Sequence, residues 1–423
     1  MLINLYHPEL KNKIMFKNKL SKTYTIGVLL LMVLLSGYSN AKSNNAGKIW
    51  TGTWSTAPQL VEPNNMPPTP GLANNTFRQI VRVSIGGNIV RLRLSNVFSK
   101  EPVTLKSVAI AVAKEGSVVE ESTQTKLKFE GKSEVTMLPG TQIVSDPLKF
   151  KLAPGSRLAI TMAFGDVSAT ITGHPASRTT SYILTGDNVL SPDFAGAIPT
   201  DHWYIINGID VQTSKNAGAV AVLGNSITDG RGSGTNKQNR WPDIFSQRLL
   251  ENKATRNIGV LNLGIGGNCV VRGGLGPTAL NRFDRDILSQ NNVKWLIITI
   301  GVNDIGGIRT AEETSKVVEN LISAYTQLID KAHAKGIKVY GATILPFAKS
   351  FYDTDFRLQA RDKVNEWIRT SGHYDAVIDF DALMRQSDNP KTILPDVHSG
   401  DFLHPNEAGY EKMGRFVDLG LFK

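Results

Sequence analysis

From about Ala217 onward the chain repeats one unit: a short apolar run, then a stretch with helical spacing. Candidate strands lie at 217–223, 260–263, 295–300, 339–344 and 376–380. Candidate helices lie near 242–251, 311–334 and 356–370, with a last one at 406–419. In 311–334 the residues Val317, Leu321, Tyr325, Leu328 and Ala332 fall on one helical face. The strands are continuously apolar rather than alternating, as expected when helices cover both faces of a parallel sheet. This pattern predicts a doubly wound α/β domain over 213–423, with ligands bound beyond the carboxyl ends of its strands.

The preceding part has a different pattern. Between about Trp50 and Val211, short alternating runs are separated by Gly and Pro. Candidate strands occur at 80–85, 89–94, 103–112, 125–129, 134–137 and 157–163. Gly86-Gly87-Asn88 between the first two predicts a hairpin. Arg82, Arg91 and Arg93 alternate with Val and Leu, which gives one polar sheet face and one buried face. The segment 42–212 is therefore expected to form an antiparallel β-sandwich, jelly-roll-like in character.

The N-terminus carries the pattern of an export signal over 1–41. Five lysines (Lys11, Lys13, Lys17, Lys19, Lys22) precede the apolar run 26–35, and Ser39-Asn40-Ala41 fits a small-residue cleavage site. Met15 is a second candidate start for that signal. The run is shorter than the ~20 residues of a membrane-spanning helix, so no stable anchor is expected once the signal is removed. Leu35-Ser-Gly-Tyr38 is similar to a lipoprotein box, but Tyr38 stands where a lipidated cysteine is required. A periplasmic or extracellular protein is the expectation. Cys269 is the single cysteine, which excludes an intramolecular disulfide and any metal site built from cysteines. The net charge is +10, of which +4 lies in 1–41, leaving 42 basic against 36 acidic residues spread along the remainder. That distribution suits solubility and does not suggest nucleic-acid binding.

Four loops at the expected ligand edge carry the chemistry. They are Gly224-Asn-Ser-Ile-Thr-Asp-Gly230, Asn262-Leu-Gly-Ile-Gly-Gly-Asn268, Gly301-Val-Asn-Asp304 and Asp401-Phe-Leu-His-Pro-Asn406. Serine hydrolysis needs a nucleophile, a histidine to take its proton, a carboxylate to orient the imidazole and donors for the oxyanion. Ser226, His404 and Asp401 supply the first three. The backbone N–H groups of Ser226 and Gly267, with the Asn303 amide, can supply the donors. Thr228 occupies the position where the α/β-hydrolase elbow Gly-x-Ser-x-Gly has its second glycine, so the solution is a different one.

Together these segments resemble the signature blocks of the SGNH (GDSL) hydrolase superfamily, over roughly 215–423. The resemblance implies a flavodoxin-like α/β/α fold, Ser226 as nucleophile, Gly267 and Asn303 in the oxyanion hole, Asp401 and His404 as acid and base, and no cofactor. Gly-Arg-Gly-Ser at 230–233 and Gly-Val-Asn-Asp-Ile-Gly at 301–306, after a β-domain, are similar to exported bacterial members near the acetylxylan esterases. Asn225 departs from the pattern, which has aspartate there. Asn225 and Asp229 are expected to support the serine loop.

The expected activity is carboxylic-ester hydrolysis, foremost O-deacetylation of a glycan. A lipase or arylesterase of broad acyl specificity is the alternative, and a catalytically silent glycan-binding protein is a second. Trp241, before Pro242, is expected in the core, and Phe402 is the other aromatic near these loops. Arg231, Arg240 and Arg272 are expected on the surface. Asp396 and His398 form a second Asp/His pair without the family spacing. Cys269 is expected to be a small packed residue. His174 and His202 would line a cleft if the two halves pack together. No metal site is expected, because no helix carries histidines at i,i+4 with an acid.

Overall fold

Gly218–Gly224 lies inside a five-stranded parallel sheet, paired with Ile258–Gly264 on one side and Val293–Thr299 on the other. Lys338–Ala342 and Ala376–Ile378 complete it, giving the order second, first, third, fourth, fifth. Alternate residues enter opposite cores. Ala219, Ala221 and Leu223 join Leu321, Tyr325 and Leu328 of the helix Glu313–His333 and Val364 of Asp355–Thr370. Val220 and Val222 join Phe245 of Trp241–Glu251 and Met413 of Glu407–Phe416. Burial on both faces is the reason the strands lack polar alternation. This is the flavodoxin-like three-layer arrangement, and its strand order reverses beside the first strand, where open α/β sheets place their crevice.

The structure, a computed structural model, describes residues 47–423, so the export signal expected over 1–41 lies outside the described residues. The N-terminal half holds two larger antiparallel sheets. One runs Lys48–Ser55, Ile206–Ser214, Gly87–Ser95 and Gln142–Val144, with Leu148–Leu152 also paired to Gly87–Ser95. The other contains Ser181–Thr185, Asn75–Arg82, Arg157–Phe164 and Val103–Val112. Phe77, Leu92, Leu94 and Met162 meet in the core between them. The expected boundary at 212 falls two residues before the end of Ile206–Ser214, and the next strand opens the parallel sheet. Both halves belong to one compact unit over Gly47–Lys423.

The hairpin expected at Gly86-Gly87-Asn88 does not form. Asn75–Arg82 and Gly87–Ser95 belong to different sheets, and the glycines carry the chain from one to the other. None of the three residues has the positive φ that the tight hairpin turn requires. The glycines serve close approach instead: a Cβ at Gly86 would lie 2.4 Å from the Leu152 carbonyl oxygen. The strand expected at 125–129 is also shorter, Thr125–Lys126.

The arginine-bearing face of the first sheet is not a solvated one. Arg93 is buried, lies 3.6 Å from Asp210 and donates to Gln290 of the α/β half. Asn291 donates to Asp210 at 2.8 Å and Asn292 to Thr51 at 2.9 Å. Lys48–Ser55 packs along Ile258–Gly264, so closely that a Cβ on Gly259 would sit 2.3 Å from the Gly52 carbonyl oxygen. Polar residues on this sheet face join the two halves.

Candidate active site

The first strand ends at Gly224, where a Cβ would lie 2.2 Å from Thr228 Oγ1, so glycine alone lets the chain turn into the short helix Ser226–Asp229. Asn225 caps that helix, its Oδ1 accepting from the Ile227 N–H at 3.0 Å. Ser226 is the first helical residue, where a backbone N–H has no partner inside the helix. Its Oγ lies 2.9 Å from His404 Nε2, and His404 Nδ1 lies 2.6 Å from Asp401 Oδ2. The second oxygen of Asp401 accepts from the N–H groups of Leu403 at 3.0 Å and His404 at 2.9 Å. Two loops from distant parts of the chain thus supply one hydrogen-bonded line.

Electrostatics suit a base at Ser226. Burial lowers the pKa of His404, with the Arg231 and Arg178 charges adding to it and Asp401 opposing. Partial burial pushes Asp401 up, but the hydrogen bonds from the His404 ring and from the two backbone N–H groups outweigh it and bring it to about 2. A neutral imidazole held by an ionised carboxylate is the state that can accept a hydroxyl proton.

The second and third loops interlock beside this line. Gly267 takes φ 68°, in the left-handed region that favours glycine. Asn303 Nδ2 donates to the Asn268 carbonyl at 2.8 Å, and Tyr352 donates its hydroxyl to Asn303 Oδ1 at 3.1 Å. One hydrogen of that amide remains for another acceptor. Asp304 accepts from the N–H groups of Val270 at 2.8 Å and Val271 at 3.0 Å. Burial raises its pKa to about 6 against those two hydrogen bonds. Asp229 reaches across from the serine helix: its Oδ2 accepts from the Gly266 N–H at 2.7 Å and its Oδ1 lies 2.9 Å from His174 Nε2.

Trp241 is fully buried against Phe380 and Phe245. Arg240, expected on the surface, is buried and bonded to Asp243 at 2.6 Å, because its position before a helix start turns it inward; Arg231 and Arg272 are exposed. Phe402 packs on His398, ring centroids 4.2 Å apart. His398 does not join the Ser226 line; its Nδ1 accepts from Gly400 at 3.0 Å and Phe402 at 3.3 Å, shaping the loop that carries Asp401. Cys269 is buried, and burial together with the Asp304 charge pushes its thiol up to about 12. His202 donates to Pro175 within the sandwich half. Among the described residues no group of three or more His, Cys, Asp and Glu is arranged to hold a metal ion.

Sequence reasoning missed Arg282. It is fully buried and donates to the carbonyls of Leu263 at 2.8 Å and Gly224 at 3.1 Å, and to Asn268 Oδ1 at 3.0 Å. It ties the ends of the first two strands to the loop that follows the second. Tyr352 was missed as well, since nothing within 345–354 follows a periodic pattern.

A family model described as GDSL-like Lipase/Acylhydrolase family matches residues 222–412. The C-terminal half is a GDSL-like lipase/acylhydrolase domain. Membership of that family implies an esterase or acylhydrolase. Solved structures similar to it include a GDSL-like lipase from Bacteroides thetaiotaomicron, 20% identical over 48% of this chain and 87% of that one, with a TM-score of 0.34. Another is a catalytic mutant of an acetylxylan esterase from Geobacillus stearothermophilus, 18% identical over 47% of this chain and 91% of that one, with a TM-score of 0.36. No curated protein matches the chain.

Proposed function

We propose that this protein is an exported ester hydrolase that removes acetyl groups from a glycan through Ser226, His404 and Asp401. The observation that carries the hydrolytic part is the line from Ser226 Oγ to His404 Nε2, 2.9 Å, and from His404 Nδ1 to Asp401, 2.6 Å. In the reaction His404 takes the Ser226 proton as Oγ bonds to the ester carbonyl carbon. The N–H groups of Ser226 and Gly267 and the free Asn303 hydrogen receive the oxyanion. His404 then gives its proton to the departing sugar oxygen as the ester bond breaks, and water reverses the sequence to release acetate. Asp401 keeps the ring oriented and stabilises its charged form.

The glycan preference is supported by the surroundings of Asn303. A cleft of about 450 Å³ opens there, lined by Arg272, Asp304, Arg309, Glu313 and Asn320 among others. Such a polar lining suits a hydroxyl-rich alcohol better than a long acyl chain. Phe351, 64% exposed, stands beside Tyr352 with ring centroids 4.4 Å apart and offers a face for a sugar ring. The export part rests on the basic stretch and apolar run within 1–41. Among the described residues no helix is long and apolar enough to cross a membrane.

Acetate release from acetylated xylan, pectin and other glycans, beside hydrolysis of p-nitrophenyl esters from acetate to palmitate, tests the reading. Turnover on short esters that disappears in Ser226→Ala is expected. Rates that climb with chain length would make the protein a lipase, and an inert wild type would leave it a glycan-binding protein.

A further inference from the structure

One side chain of the sandwich half hydrogen-bonds directly to the serine helix. His174 lies on the strand Thr172–His174, which pairs with Gln59–Leu60 and Trp203–Tyr204 in a small third sheet. The ring is buried, with Nδ1 3.0 Å from the Ala57 carbonyl and Nε2 2.9 Å from Asp229 Oδ1. A carbonyl and a carboxylate both accept, so a ring N–H on either side makes the bond it faces. The Ala57 bond is internal to the sandwich and sets the ring's plane. The Asp229 bond leaves the sandwich and enters the serine helix.

Asp229 sits three residues after Ser226, and its other oxygen holds the Gly266 N–H at 2.7 Å, next to Gly267. Packing at this junction leaves no slack: a Cβ on Gly264 would lie 2.5 Å from the Asp229 backbone nitrogen. One carboxylate therefore spans the nucleophile turn and the oxyanion loop, and its orientation depends on what holds the oxygen facing away from Gly266. We propose that His174 is a positioning residue for ester hydrolysis: by fixing the Asp229 carboxylate it sets the Gly267 N–H relative to Ser226, so that the sandwich half completes the oxyanion site. This inference rests on the ester-hydrolase reading given above.

Two conservative variants divide the two bonds of the ring. In His174→Gln the side-chain amide nitrogen reaches the place of Nε2 and keeps a donor toward Asp229. In His174→Asn it reaches the place of Nδ1 and keeps the donor toward Ala57 only. Expected is a kcat that drops about tenfold or more in His174→Asn, with KM within about threefold, and a His174→Gln variant within about threefold of wild type in both. Equal losses in the two variants, or a loss confined to KM, would overturn the proposal while Ser226-dependent turnover of the wild type upheld the esterase reading. An inert wild type would remove that reading and this inference with it. A second measurement uses the wild-type protein alone: the ring N–H resonances of His174 should move when Ser226 is phosphonylated by a p-nitrophenyl phosphonate. Phosphonylated protein with unmoved resonances would count against the proposal even if neither variant folds.

Discussion

Tyr352 donates its hydroxyl to the Oδ1 of Asn303 at 3.1 Å, and so decides which end of that amide faces the Asn268 carbonyl and which hydrogen is left over. Removing the hydroxyl lets the amide rotate. Tyr352→Phe is expected to lower kcat about tenfold, and Asn303→Ala about 10²–10³-fold, because the latter deletes the donor itself. Steady-state kinetics on p-nitrophenyl acetate measures both; an unchanged kcat in Tyr352→Phe would detach the phenol from the site.

His404 governs the pH profile. Burial holds its pKa below the ordinary histidine value, and Asp401 stays ionised down to about pH 2. Only the neutral ring can act as base, so kcat/KM should rise with pH and level off, its acid limb centred below about 6.5. A limb centred above 7 would contradict the burial effect.

Asp304 should leave a mark on stability rather than on the rate profile. Its folded pKa is raised to about 6 by burial. The stability it contributes is therefore complete below its unfolded value, about 3.9, and is lost as pH rises through 6. The thermal midpoint of the wild type relative to Asp304→Asn should increase as pH falls from 7 to 4. A difference that stays flat, or grows toward alkaline pH, would refute this.

Arg282 is a buried charge with four acceptors, counting Asp286 at 3.2 Å. Replacing it by Met leaves the Gly224 and Leu263 carbonyls and Asn268 without that donor. A loss of about 3 kcal/mol in urea unfolding is expected, together with reduced kcat. A variant as stable and active as wild type would show the brace to be dispensable.

Asn225 keeps the one acceptor that its turn uses, the Ile227 bond at 3.0 Å. Asn225→Asp should thus retain kcat within about tenfold, ~1.4 kcal/mol in barrier. A gain of about a hundredfold would mean that asparagine weakens the native enzyme.

The parallel sheet and the four loops were legible because each leaves a local trace: apolar runs with no alternation, and glycines where side chains would collide, as at Gly224 and Gly264. The N-terminal sheets were legible as strands but not as pairings. Gly86-Gly87-Asn88 carries the composition of a tight turn, yet its use depends on Leu152 and Pro154, more than sixty residues away. Arg282 and Tyr352 were illegible as site residues for the same reason, and His174 was legible as a cleft residue but not as the partner of Asp229. The partners that tie them to the site loops lie 14 or more residues distant, and no spacing rule reports which buried donor meets which acceptor.

The close approach of Gly52 to Gly259 has a bearing on how the protein can be handled. Ile258–Gly264 is an outermost strand of the parallel sheet, and Lys48–Ser55 lies over it. Exposed strand edges recruit other chains. Cut free of its sandwich, the catalytic half would carry a bare, apolar edge rich in Val and Leu, a template for aggregation. The N-terminal half is then an intramolecular shield as well as a partner, and fragments made for crystallisation or engineering should keep both halves together.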